Sequence, residues 1–312
     1  MSIFVYLTIY ASLIIFFVTV MYKITDYLKK PLHVRWELYP VAHEGKKTSY
    51  GGGYLEETDW WDKPRPKSRL GELKVMIPEI LFLKAVWENN RKLWYASFPF
   101  HFGLYLCTMF MALLGFASIG MLLGLSKGSL ILSVVFAITN LCGPAGFILS
   151  IAGAAGLFYK RLTDPTLKDY STFEHFFNLG LFIVTMTFAL LTWLLVDPNF
   201  NVSRQFATNL ISFNLVPIGS SLLSIQMVLI AILLAYIPLT HMSHFFMKYF
   251  LYHDIRWGDA PNIDSPSTNA KIGIVLNYPV TWAAPHIAGH GKSTWAEVAT
   301  FNPTADAEEK KE

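Results

Sequence analysis

Five stretches of the chain are apolar almost without interruption: Ile3 to Tyr22, Phe98 to Leu123, Leu130 to Phe158, Phe173 to Val196 and Leu215 to Phe246. Each reaches or exceeds the roughly 20 residues that a helix rising 1.5 Å per residue needs to cross a hydrocarbon core of about 30 Å. In lipid the backbone polar groups must be satisfied within the segment, and the period-2 alternation of a membrane barrel is absent, so the pattern predicts helices. The expected fold class is an all-α membrane protein, a bundle of five transmembrane helices with an irregular polar loop (23–92) and an irregular polar tail. The predicted organisation is a bundle over 1–252 and a docking tail over 253–312. No internal repeat stands out.

Composition agrees with the pattern. Of 312 residues 53% are hydrophobic and 15% charged, and the mean hydropathy is +0.39, which excludes an ordinary soluble enzyme. The net charge of +3 says little until the charges are placed. Of the 25 Lys and Arg, 14 fall in the first loop, 3 between Tyr159 and Tyr170, and 6 from Lys248 onward, whereas the alternate side holds only Lys127 and Arg204. Basic residues stay in the cytoplasm. The expected arrangement is therefore N-terminus periplasmic and C-terminus cytoplasmic, in a prokaryotic cytoplasmic (inner) membrane. No basic residue precedes the first span and Lys23, Lys29 and Lys30 follow it, which suits an uncleaved anchor rather than a signal peptide.

Aromatic residues crowd the polar segments: Trp36, Trp60 and Trp61 in the loop, Trp282 and Trp295 in the tail. Interfacial anchoring accounts for Trp87, Trp94 and Tyr95. For Trp36 and Trp282 a docked cytoplasmic subunit is the better reading. The amphipathic stretch from Ile77 to Trp87 belongs to the same face.

The chemistry lies in the histidines. Four of nine sit in or at the ends of spans: His101, His175, His241 and His244. Ionisable groups at membrane depth are costly and mark function, and neutral imidazole is a common axial donor to haem iron. His101 follows Lys92 by nine residues and His241 and His244 precede Lys248 by seven and four, so all three are expected near one membrane face. An interhelical hydrogen bond is the plain alternative for a lone transmembrane histidine. His175, with Glu174 beside it, is shallower, and a headgroup-level histidine is an alternative for it. His33, His43, His253, His286 and His290 read as surface or interface residues. Cys107 and Cys142 both lie in apolar runs, so any iron–sulfur cluster must come from a partner.

The entry to the second span, Phe98-Pro99-Phe100-His101-Phe102-Gly103-Leu104-Tyr105, and the exit of the fifth, Ile237-Pro238-Leu239-Thr240-His241-Met242-Ser243-His244-Phe245-Phe246, resemble the gamma subunit of respiratory nitrate reductase, a five-helix cytochrome b. The pieces Arg35-Trp36-Glu37-Leu38-Tyr39-Pro40 and Trp282 to Ala299 look closer to the membrane cytochrome b of sulfate-reducer complexes associated with dissimilatory sulfite reductase or type I tetrahaem cytochrome c. The resemblance covers nearly the whole chain. It implies haem b, with the cytoplasmic-side ligand pair mapping onto His101 and His244. The family's second pair does not carry over, because its positions hold Met111 and Gln226. Either one haem is bound, or a second is held by His175 with whichever of His241 and His244 is left over.

The resemblance further implies an electron-transfer subunit of a quinone oxidoreductase complex in anaerobic respiration. Electrons would pass between menaquinol or menaquinone and a cytoplasmic iron–sulfur subunit of the heterodisulfide-reductase kind. A periplasmic multihaem cytochrome c, further membrane subunits and lipid complete the expected partners, and nucleic acid is not among them. Quinone needs an apolar slot with polar groups at its carbonyls; the candidates are Gln226, Asn209, Asn214 and Arg204 on one side and Lys84, Glu174 and His175 on the other. Asn140, beside Cys142-Gly143-Pro144, marks a place where helix breaking would open a cavity. A transporter is disfavoured by the lack of an inverted repeat and of mid-span acids. A cofactor-free membrane anchor for a cytoplasmic enzyme is the alternative function.

Overall fold

The structure, a computed structural model, describes residues 2–29, 69–247, 266–282 and 291–301. The segments carrying Trp36, the Gly51 to Gly53 run, Trp60, Trp61, His33, His43, His253, His286 and His290 lie outside the described residues. The chain divides into two compact units, Met1–Val20 with Glu72–Met242 and Met21–Gly71 with Ser243–Glu312.

Five helices are long and apolar enough to cross a membrane, and among the described residues there is no β-strand. They are α1 (Ser2–Lys29), α4 (Arg91–Leu122), α5 (Leu130–Thr163), α7 (Phe173–Leu195) and α9 (Ser221–Tyr236), the last prolonged by a 3₁₀ turn at Ile237–Leu239. Shorter helices lie between them: α2 (Arg69–Leu81), α3 (Lys84–Asn89), α6 (Pro165–Lys168) and α8 (Asn201–Ile211). The second unit adds α10 (Pro266–Leu276) and α11 (Trp295–Thr300), and a single bridge pairs Pro279 with Thr294.

Local chemistry sets the helix ends. Asn90 and Ser129 cap α4 and α5 by accepting from the backbone N–H of Leu93 and Leu132. Lys160 and Arg161 sit in the last turn of α5, where cations complement the helix dipole. Long apolar side chains such as Phe4, Ile14, Val18, Leu141, Ile148 and Leu194 remain exposed. A surface so apolar is stable against acyl chains rather than water.

The first unit is built on close approach of α4 and α5. A Cβ on Gly153 would overlap the backbone nitrogen of Phe100, and one on Gly103 would lie 2.5 Å from the nitrogen of Ser150. Small residues thus let the two backbones meet, as in membrane helix pairs generally. α5 packs next on α7 and α7 on α9, whereas α4 and α9 do not pack closely on each other. Phe100, Cys107, Phe110, Phe147, Phe182 and Met186 form the apolar centre.

Four features depart from the sequence pattern. The fifth span was expected over Leu215 to Phe246 but its helix begins only at Ser221, capped by Ser220, and gives way at Pro238, which has no N–H to continue the ladder. His241 and His244 consequently stand beyond the helix. The segment expected as a loop after Asp197 holds α8. The helix break expected at Pro144 is absent: α5 runs through it, and the space beside Gly143 is filled by the rings of Phe200 and Phe110. The amphipathic stretch at Ile77 to Trp87 is divided between α2 and α3, with Leu83 in the left-handed region (φ 52°) at the joint.

Candidate functional site

The start of α4, the end of α5, the start of α7 and the end of α9 lie at one end of the antiparallel bundle, and Lys92, Lys160, Arg161 and Lys168 make that end basic. His101, His175 and His241 all lie toward this end, and the rings of His175 and His241 come together there, whereas His101 stands on a separate face of α4.

His101 sits two to three turns into α4. Its Nδ1 lies 2.8 Å from the backbone oxygen of Ser97. A carbonyl only accepts, so Nδ1 carries the proton and Nε2 carries the lone pair. The residues of α4 that meet α5 are Ala96, Phe100, Gly103, Cys107 and Phe110. At 100° per residue His101 points about 140° away from that seam. It shares its own stripe with Trp94, Phe98 and Tyr105. The indole of Trp94 donates to the oxygen of Phe82 over 2.8 Å, and the Tyr105 hydroxyl donates to that of Ile80. Phe98 stacks between Trp94 (4.5 Å, 8°) and Phe102 (5.5 Å, 18°). The His101 ring is therefore half-buried on an aromatic face.

His241, just past the 3₁₀ turn, places Nδ1 2.9 Å from Glu174 Oε1. An ionised carboxylate only accepts, so Nδ1 is the donor, and in the neutral imidazole this leaves the lone pair on Nε2. Both side chains are about half exposed, so the pair orients more than it stabilises. The ring of His175 lies 5.3 Å from that of His241, centroid to centroid. His175 is held differently. The backbone N–H of Thr172 donates to its Nδ1 over 3.1 Å in the capping box of α7, which assigns the proton to Nε2. In this arrangement its lone pair is committed to the helix end. His244 belongs to the second unit, where it is exposed.

One turn below His175, Asn178 is only 5% exposed, and neither its amide oxygen nor its amide nitrogen has a hydrogen-bond partner. Such a group is costly and calls for a ligand or water. Sequence reading passed over it, although its i+3 spacing from His175 puts the two on one face.

The opposite end of the bundle holds most of the remaining polar candidates. Arg204 on α8 is 6% exposed; its Nη2 donates to the backbone oxygen of Asn199 and, over 2.8 Å, to Asn201 Oδ1. Its guanidinium lies 4.1 Å over the ring of Phe136 on α5, and its Nη1 has no partner. Burial pulls this guanidinium below its ordinary pKa, and the nearby Asp197 carboxylate opposes the shift. Asp197 caps α8 by accepting from the backbone N–H of Val202 and Ser203. Asn140, one turn from Phe136 on the same face of α5, has an unpartnered buried Oδ1.

The other quinone candidates are dispersed. Asn209 lies about 140° round α8 from Arg204, accepts from Gln205 over 3.1 Å and adjoins Tyr6. Gln226 is buried on α9 with an unpartnered Oε1. Asn214 is exposed. Lys84 is exposed and pairs with Glu88 at 3.7 Å. Among the described residues no three His, Cys, Asp or Glu side chains converge as a metal-ligand set. Cys107 and Cys142 are buried free thiols.

Compared with protein-family models, curated proteins and solved structures, the chain matches none.

Proposed function

We propose that this protein is a haem b membrane subunit of a respiratory redox complex, exchanging electrons between menaquinone and a cytoplasmic iron–sulfur subunit of the heterodisulfide-reductase kind. In this reading the basic end faces the cytoplasm of a prokaryote. The observation that carries it is His101: an imidazole within a membrane span, on an aromatic face, with its proton fixed on Nδ1 by the Ser97 carbonyl and its lone pair on Nε2. A metal-bound histidine is held in the same way, its other ring N–H given to a carbonyl that fixes the tautomer and the ring orientation.

His241, oriented by Glu174, offers the same tautomer, and His244 is the partner that the resemblance to the nitrate reductase gamma subunit names. His175 is the weaker donor because of Thr172. Bound haem would supply one-electron storage between a two-electron quinone and the iron–sulfur partner. The chain's own part is to hold two imidazoles and exclude water by the aromatic face. The unpartnered amide of Asn178 supports a polar guest at this end.

For quinone, Arg204 is the best placed candidate. A buried cation with an unused N–H, lying over Phe136 one turn along α5 from the unpartnered Oδ1 of Asn140, suits a carbonyl that gains negative charge on reduction. Gln226 and Asn209 lie in the same half of the bundle, and Lys84 has a carboxylate already.

The test is a reduced-minus-oxidised spectrum of protein purified from membranes, with a pyridine haemochrome count. A b-type band at one or two haems per chain, lost in His101→Ala while the chain still inserts, is expected. A chain without the band is a cofactor-free anchor, and the proposal fails.

A further inference from the structure

At the basic end the flanks of α4 and α5 part to leave an open groove of about 410 Å³, with Lys92 and Tyr95 on one side and Ala152, Tyr159, Lys160 and Asp164 on the other. Its floor is made of small residues: a Cβ on Gly156 would lie 3.1 Å from that of Ala96. Its rims are two phenols, Tyr95 and Tyr159, 65% and 66% exposed. Neither is used by the haem or quinone reading.

The charges are set for an anion. Asp164 keeps one oxygen on the N–H and hydroxyl of Thr166, as the cap of α6. Among the described residues neither Lys92 nor Lys160 reaches a carboxylate at ion-pair distance. The groove thus carries two cations against one carboxylate, and a single further negative charge balances it. Ala152 continues a stripe with Tyr159, Ile148 and Leu141 along the outer face of α5, and Ile148 and Leu141 are exposed. A hollow at Ala152 between larger neighbours gives an acyl chain a track that starts at the lysines.

We infer that this groove binds an anionic phospholipid, its phosphodiester between Lys92 and Lys160, its glycerol oxygens within reach of Tyr95 and Tyr159, and one acyl chain along Ala152, Ile148 and Leu141. A phosphate is held by lysine as a point charge, and tyrosine suits a boundary that is wet on one side and apolar on the other. Free phosphate would use the cations but not the track.

The experiment is native mass spectrometry of the detergent-purified full chain titrated with phosphatidylglycerol, phosphatidylethanolamine or phosphatidylcholine. One or more phosphatidylglycerols retained in preference to the other two is expected. Retention should fall about tenfold in Lys92→Gln with Lys160→Gln, and in Ala152→Trp, which fills the track and leaves the charges. Lys92→Arg with Lys160→Arg should keep it. Removal of the same charge elsewhere, Lys127→Gln with Lys168→Gln, should leave it unchanged. Equal loss in the two charge-removed pairs, no loss in Ala152→Trp, preference for a zwitterionic lipid, or displacement by inorganic phosphate would each overturn the assignment. None of these readings depends on haem content.

Discussion

Glu174 and His241, 67 residues apart in the chain, meet with Oε1 2.9 Å from Nδ1, while the adjacent His175 gives its Nδ1 lone pair to Thr172. Two imidazoles 5.3 Å apart are thereby put in opposite tautomers. A carboxylate behind a ligating imidazole raises its basicity and favours the higher oxidation state of the metal. If His241 is an axial ligand, Glu174→Gln will raise the haem midpoint potential, and each tenfold loss of ferric preference moves a one-electron couple by about 59 mV. Potentiometric titration checks this; an unmoved midpoint assigns the ligand role to His244. His175→Phe should leave the spectrum intact and fray only the start of α7.

The α4–α5 contact predicts a sharp contrast between two glycines. Gly153→Ala drives a methyl onto the Phe100 backbone, which cannot turn aside as a side chain could, and should destabilise the bundle by about 1–3 kcal/mol. Gly180→Ala on α7 meets nothing within 4 Å. There the better helix propensity of alanine, worth up to about 1 kcal/mol, should leave stability unchanged or raised. Thermal unfolding in detergent, followed at the two unpaired thiols, distinguishes them. Comparable losses in both variants would mean that the seam between α4 and α5 is looser than drawn.

The five spans were legible because length and hydropathy suffice for them, whatever the neighbours do. What escaped were features decided by single residues or by tertiary contact. Pro238 and the Ser220 cap shorten the fifth helix, while the apolar run continues through Phe246. α8 was hidden because its buried face is mostly polar: it buries Ser203, Arg204 and Asn209 along with Phe206, and exposes Val202 and Ile211. For the histidines, the sequence placed Glu174 beside His175, but only folding brings it to His241. Asn178 had only its i+3 spacing from His175 to mark it, and its lack of hydrogen-bond partners shows only in the fold.

Asp164 gives a pH dependence with a definite sign. Its hydrogen bonds from the Thr166 hydroxyl and N–H, with Lys160 and Lys92 nearby, hold its carboxyl below the ordinary carboxylate range. A folded-state pKa below the unfolded one contributes stability at all pH values above the unfolded pKa, and that contribution is lost as pH falls through the folded one. Amide exchange at Thr166 to Lys168 should therefore be slow at neutral pH and accelerate, beyond the intrinsic change, only on acidification below the carboxylate range. Asp164→Asn keeps an acceptor but has no proton to gain, so the acid-dependent opening should vanish. Its persistence would assign the opening to another group.

The α8 cap and the buried cation beside it are coupled, and a double-mutant cycle can separate them. Asp197 accepts from Val202 N–H and Ser203 N–H (2.7 Å), so Asp197→Ala removes two helix-end acceptors, a loss of about 0.5–2 kcal/mol. Among the described residues it also takes away the one carboxylate that opposes the desolvation of Arg204, leaving a charge that is 6% exposed with Asn199, Asn201 and the Phe136 face. Stranding a buried charge costs more than losing a cap. In an Arg204→Met background, where methionine fills much of the same volume without charge, the cost of Asp197→Ala should shrink to that of the cap alone. The expected coupling is about 1 kcal/mol or more, above the few tenths within which independent sites add. Exchange across Asn201–Ile211 and thermal stability in detergent supply the four corners of the cycle. Strict additivity would mean that Asp197 serves the helix end only and that Arg204 is neutralised by some other group, which would also remove the free guanidinium N–H from the quinone proposal.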